Sequence, residues 1–112
     1  TIGMAYMQNV GLGRLENVGM GYSLNVGMIM STVVGMNQMT KVGVNQSTNV
    51  GKTCAITAGD EFSVTVGKST LVMKKDGTIT LNGHDLTINM SGEQTLKADG
   101  NITIKGAKIL EN

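Results

Sequence analysis

Residues 9–28 read NVGLGRLENVGMGYSLNVGM, and the Val-Gly pair inside that stretch returns at every eighth position. The series runs Val10-Gly11, Val18-Gly19, Val26-Gly27, Val34-Gly35, Val42-Gly43, Val50-Gly51 and Val66-Gly67. Ile2-Gly3 and Ala58-Gly59 keep an apolar residue before glycine in the remaining slots, so nine consecutive octads hold their phase through residues 1–73. A period of eight is even, and strand side chains alternate with period two, so every octad of an extended chain aims its side chains as the last one did. Eight does not fit the 3.6-residue turn, and a glycine in every unit argues further against an amphipathic helix. The octads therefore read as strands. Each spans roughly 26 Å at about 3.3 Å per residue, a length that suits one face of a solenoid or prism. The glycines read as turn residues, available where the chain needs positive φ to round a corner.

The position two after the valine is also apolar through most of the run, as Met4, Leu12, Met20, Met28, Met36 and Val44. Alternation places it on the same side as the valine, which predicts an interior filed with Val and Met. Methionine is unbranched and adaptable, and its spacing here follows the strand repeat, so these residues read as core filler rather than a metal or partner site. Asn9, Asn17, Asn25 and Asn49 precede the valine and fit either turn chemistry or stacked amide ladders.

The composition agrees with a repeat. In 112 residues there are one Phe, two Tyr and no Trp, too little aromatic bulk for an ordinary globular core, while sixteen Gly and no Pro suit a repetitive sheet. A net charge of +1 leaves no electrostatic footprint for nucleic acid or an anionic membrane surface. No apolar run is long enough to span a bilayer as a helix, and no signal-peptide pattern opens the chain. Because Thr1 falls inside an octad already in phase, the chain is expected to be a fragment of a longer one. Cys54 stands alone, without a disulfide or metal-ligand partner, in the slot that Tyr6, Arg14, Tyr22, Met30, Gln38, Gln46 and Phe62 fill elsewhere. It reads as a packed or idle thiol.

After residue 73 the pattern shifts. Residues 1–58 hold only four charged side chains, Arg14, Glu16, Lys41 and Lys52, whereas 59–112 hold thirteen. Lys74-Lys75-Asp76-Gly77 stands where the next octad pair would fall and reads as a polar turn. Short alternating strands are predicted over 78–82, 86–90 and 101–105, separated by glycines. Ile88, Leu96 and Ile104 are again eight apart, so the expected organisation is a Val-Gly octad β-helix over 1–73 and a continuing β-helix with a shifted repeat over 74–112.

An octad contributes too little apolar surface to order itself, and its strands have open edges unless each is paired above and below. It can gain neighbours by winding alone, as a three-sided solenoid of about 24 residues per turn, or by winding with copies of itself. The thin, Met-filled, aromatic-poor interior favours three chains around one axis.

The Val-Gly run, followed by Asp76-Gly77-Thr78-Ile79-Thr80-Leu81-Asn82-Gly83 and by Lys97-Ala98-Asp99-Gly100-Asn101-Ile102-Thr103-Ile104-Lys105-Gly106, resembles the C-terminal needle of VgrG, the valine-glycine repeat spike of bacterial type VI secretion. It is similar also to the needles of contractile phage tail spikes, and the resemblance covers essentially the whole chain. It implies an all-β fold, an intertwined homotrimer forming a triple-stranded parallel β-helix shaped as a triangular prism. It implies a structural role, a needle driven by a contractile sheath through a target cell's envelope to deliver effectors. Such a protein assembles in the bacterial cytoplasm and is then secreted into the extracellular space or the target cell. The partners implied are a PAAR-repeat cap at the tip, the tube protein through N-terminal domains outside this sequence, and the target membrane transiently. Residues 105–112 would form the tip, with Ile109, Leu110, Glu111 and Asn112 as contacts for a cap. The alternative is a binding module, a single-chain β-solenoid or phage fibre segment that recognises a surface receptor or glycan; Tyr6, Tyr22 and Phe62 are few and scattered for that role.

No catalytic, cofactor or metal site is expected. His84, the only histidine, has Asp85 beside it but no Ser or Cys arrangement around the pair. Three copies of His84 facing an axis would surround an ion, but Asn82-Gly83-His84-Asp85 reads as an exposed turn. Asp60 and Glu61 point oppositely in a strand and read as solvated charge. Gly11-Leu12-Gly13 lacks the strand-to-helix unit of a phosphate loop. A polysaccharide-cleaving β-helix would need acids or Arg clustered on one face.

Overall fold

The computed structural model describes residues 3–111; Ile2 and Asn112, both assigned roles above, lie outside the described residues. The chain divides into two units, Thr1–Thr48 and Asn49–Asn112. Among the described residues all regular structure is β: three strands, β1 (Glu61–Val66), β2 (Ser69–Lys74) and β3 (Ile79–Asn82), form one antiparallel sheet in the order β1-β2-β3, in the second unit.

The sheet forms where apolar alternation meets two different turn chemistries. EFSVTV and STLVMK each alternate, and the two-residue loop Gly67-Lys68 joins them with Val66 opposite Ser69. Gly67 has φ of 54° while Lys68 does not have positive φ, as a type II′ hairpin turn with glycine at its first central position requires. The second connection is the polar turn expected at 74–77. The Gly77 amide donates to the Lys74 carbonyl and the Lys74 amide to the Thr78 carbonyl, both at 3.0 Å. Gly77 stands at φ 95°, the left-handed position of a three-residue hairpin loop. The Asp76 carboxylate accepts the Thr78 amide at 3.0 Å, and the Lys75 amide reaches back to the Asp60 carbonyl at 2.9 Å, tying the loop to the residue before β1.

Several expectations are corrected here. Val66-Gly67 belongs by phase to the octad run, yet its glycine turns an antiparallel hairpin, and β2 carries the chain through the point where the phase ends. The strand expected over 78–82 is β3, but those expected over 86–90 and 101–105 do not form, nor do strands in the octads of residues 3–60. The octads instead show a bend at the glycine and the residue after it: Gly11-Leu12, Gly19-Met20, Gly27-Met28, Gly35-Met36, Gly43-Val44, Gly51-Lys52 and Gly59-Asp60. Bends at Ser91-Gly92 and Asp99-Gly100 continue the eight-residue spacing after the sheet. The physical reason is pairing. A strand exists only beside another, and within one chain the octads offer each other no ladder; among the described residues, the one backbone hydrogen bond that reaches any of residues 3–60 is the one to the Asp60 carbonyl.

No side chain among the described residues is buried. The accessible surface is 12537 Å² for an 11.7 kDa chain. A folded monomer of that mass exposes about 5,900 Å² and its unfolded chain about 17,000 Å². One chain by itself thus covers roughly a quarter of its unfolded surface, where a stable domain of this length covers nearly two thirds.

Candidate functional site

What the chain presents is a repeated surface, and its geometry follows from where the bends fall. Val10, Val18, Val26, Val34, Val42 and Val50 are all between 46% and 49% exposed. Leu12, Met20, Met28, Met36 and Val44, two residues on, lie between 88% and 105%. The expectation that both positions share one environment does not hold within the chain. The bend separates them and leaves the second at a bare corner, so the more sheltered position of each octad is the valine.

The octad glycines carry a second correction. Among the described residues positive φ occurs at Gly67 and Gly77 alone, so Gly11, Gly19, Gly27, Gly35, Gly43 and Gly51 round their corners without the left-handed conformation. A Cβ built on any of those six meets nothing within 4 Å. Neither backbone conformation nor crowding inside the chain requires glycine there. The remaining physical use of a glycine at a fixed period is to let another backbone come close.

The sheet supplies a surface that the octad phase concealed. Its register aligns Phe62, Met73 and Ile79 in one row and Val64, Leu71 and Leu81 in the next, and alternation puts both rows on one face. The opposite face carries Glu61, Lys74, Ser63, Thr80, Thr65, Thr70 and Asn82, with Val72 at its centre. Phe62 and Leu71 are half-buried, whereas Val64 and Met73 are 43% and 44% exposed and Ile79 and Leu81 more so. An open hollow of about 410 Å³ lies at one end of this face, between Phe62, Met73, Ile56 and Ala58, with Glu61 and Lys74 on its lining. The alternation of residues 61–66 and 69–74 was visible as a pattern; what hid the face was that Val66-Gly67 fits the octad series.

The polar groups are solvated. His84 follows β3 with its side chain 91% exposed, its Nδ1 3.1 Å from the Asp85 carboxylate. That neighbouring pair and Asn82, Gly83 and Leu86 line a second open hollow, with no further titratable group. Arg14 donates to the Gln8 amide oxygen at 3.2 Å and pairs with Glu16 at 3.0 Å on exposed octad surface. The Asp76 carboxyl is held below its ordinary range by the hydrogen bonds that Thr78 donates to it. Cys54, Asp60 and Glu61 are exposed, as are Ile109, Leu110 and Glu111 near the C-terminal end. Among the described residues no three His, Cys, Asp or Glu side chains group as metal ligands, and no helix is long and apolar enough to cross a membrane.

Comparison with known proteins finds no family model that matches the chain and no curated protein with a significant match.

Proposed function

We propose that this chain is the needle of a phage-tail-like spike of the type VI secretion kind, three copies wound in parallel around one axis as a triple-stranded β-helix. The observation that carries the reading is the octad surface itself. Six in-phase units, Val10-Gly11 to Val50-Gly51, place a half-exposed valine and an uncrowded, ordinary-φ glycine every eight residues, and their backbones make no ladder within the chain. Copies of the same chain supply at once what each octad lacks: partners for its N–H and C=O groups, cover for its valine file, and a neighbouring backbone for which the glycine leaves room. A single-chain solenoid of about 24 residues per turn would need ladders between octads three apart in one chain, and the described octads make none.

Function follows from mechanics. A rod driven through an envelope must carry axial load without buckling, and interwound ladders separate only by breaking many hydrogen bonds together, which makes unfolding slow. No bond is made or broken in a substrate, so the protein acts as a structural part. The cap contacts proposed at Ile109, Leu110 and Glu111 use exposed apolar surface at the outward end, and the tube protein binds through domains outside this sequence. The needle is assembled in the cytoplasm and leaves the cell with the spike.

The test is to remove residues 1–112 from the spike in the secreting bacterium and measure delivery of effectors into target cells. Delivery should be lost. Intact delivery combined with loss of attachment to the target surface would overturn the needle and favour the binding module.

A further inference from the structure

We propose that the three-stranded meander, residues 61–82, is the register lock of the assembly: its apolar face packs against the same face of the other copies and holds the interwound chains at one mutual alignment. The inference rests on the interwound reading above and adds to it a specific interaction surface.

The octads cannot set alignment well by themselves. If one chain slips past its neighbours by eight residues, Val again meets Val and Gly meets Gly, and each side chain keeps its face because the shift is even. Residues 1–58 offer only four charged side chains to object to such a slip. Register in a Gly-rich repeat of this kind is weakly specified and calls for a feature that occurs once. The meander is that feature. It interrupts the repeat with antiparallel pairing and with its two positive-φ glycines, and it occurs nowhere else among the described residues.

The meander is also incomplete alone. A three-stranded sheet gains independent stability by covering a hydrophobic face, and here Phe62, Val64, Leu71, Met73, Ile79 and Leu81 share a face that nothing in the chain buries. The occupant is a second copy rather than a different protein, because the shortfall in covered surface runs along the whole chain and copies remedy all of it together. A slip of one octad would leave each apolar face against octad surface, with the hollow beside Phe62 unfilled.

Cys54, the single cysteine, lies seven positions before β1 and serves as the reporter. Full-length chains are nitroxide-labelled at Cys54 while unfolded, refolded, sized by light scattering and measured by electron–electron double resonance. Three chains in one register give a single narrow interlabel distance. Val64→Asn with Leu71→Asn should keep the trimeric mass but spread the distances into several; a trimer with one unchanged distance would overturn the lock. A second measurement leaves the meander intact, in case the variant does not assemble. Full chains and chains lacking residues 28–35, one whole octad, are refolded together with a nitroxide on one kind and gadolinium on the other, so that only mixed trimers report. A lock at the meander predicts the distance found in the unmixed trimer, whereas a longer distance, or no mixed trimers, overturns it. A monomeric full-length chain would instead overturn the interwound reading, and this inference with it.

Discussion

Gly35 sits mid-run with φ outside the left-handed region and open space around its Cα. In an isolated chain, Gly35→Ala would restrict the unfolded state and stabilise by about 0.4–1 kcal/mol. In the proposed assembly the added methyl meets a neighbouring backbone, and overpacking of that sort costs about 1–3 kcal/mol. The sign therefore separates the two situations. Thermal melting at matched concentration should show Gly35→Ala less stable than the parent; an equal or higher melting temperature would remove the argument for close backbone approach. Asp76 carries a second prediction. Its carboxyl is held below the ordinary range by hydrogen bonds from Thr78, so the fold favours the ionised form. Stabilisation from a depressed carboxyl is present above its unfolded pKa and is lost as pH falls through the folded one. Hydrogen exchange at the Thr78 amide should be protected at neutral pH and lose protection only once the pH falls below the ordinary carboxyl value of about 4 and through the depressed folded one, with Asp76→Ala losing it at every pH. Protection indifferent to both acid and substitution would contradict the turn's role.

The meander depends on two glycines, Gly67, which keeps the octad phase, and Gly77, which lies outside it. Gly67 and Gly77 alone have positive φ, and a β-branched residue in the left-handed region costs about 1–2 kcal/mol. Gly67→Val and Gly77→Val should each destabilise by that order in denaturant unfolding, with Gly77→Asn milder because asparagine tolerates the conformation. No loss in either valine variant would mean that the hairpin loops do not hold the element. The all-β class, the turn at 74–77 and the strand at 79–82 were legible, since each rests on local alternation and turn chemistry. The antiparallel pairing was not, because Val66-Gly67 keeps the octad phase and the same alternation serves a parallel coil and a hairpin equally. Only Gly67-Lys68, a two-residue loop between alternating runs, distinguished them. Strands at 86–90 and 101–105 were legible as alternation yet lack a partner in the chain, and alternation alone does not make a ladder. The apolar face of Phe62, Val64, Leu71, Met73, Ile79 and Leu81 follows from that pairing, so it could not be read before the pairing was known.

At the scale of the whole molecule the deciding quantity is surface. An 11.7 kDa chain that exposes 12537 Å² and buries no side chain among the described residues lacks the cover from which folded proteins draw their stability. The proposed interwinding of three copies would answer that shortage and the unpaired backbone groups together, and would make dissociation and unfolding one event. The measurement that tests this most directly is the solution mass by light scattering behind size exclusion, before and after heating in detergent. The account predicts a mass of about three chains that survives the treatment. A compact monomer, stable at any dilution, would contradict it.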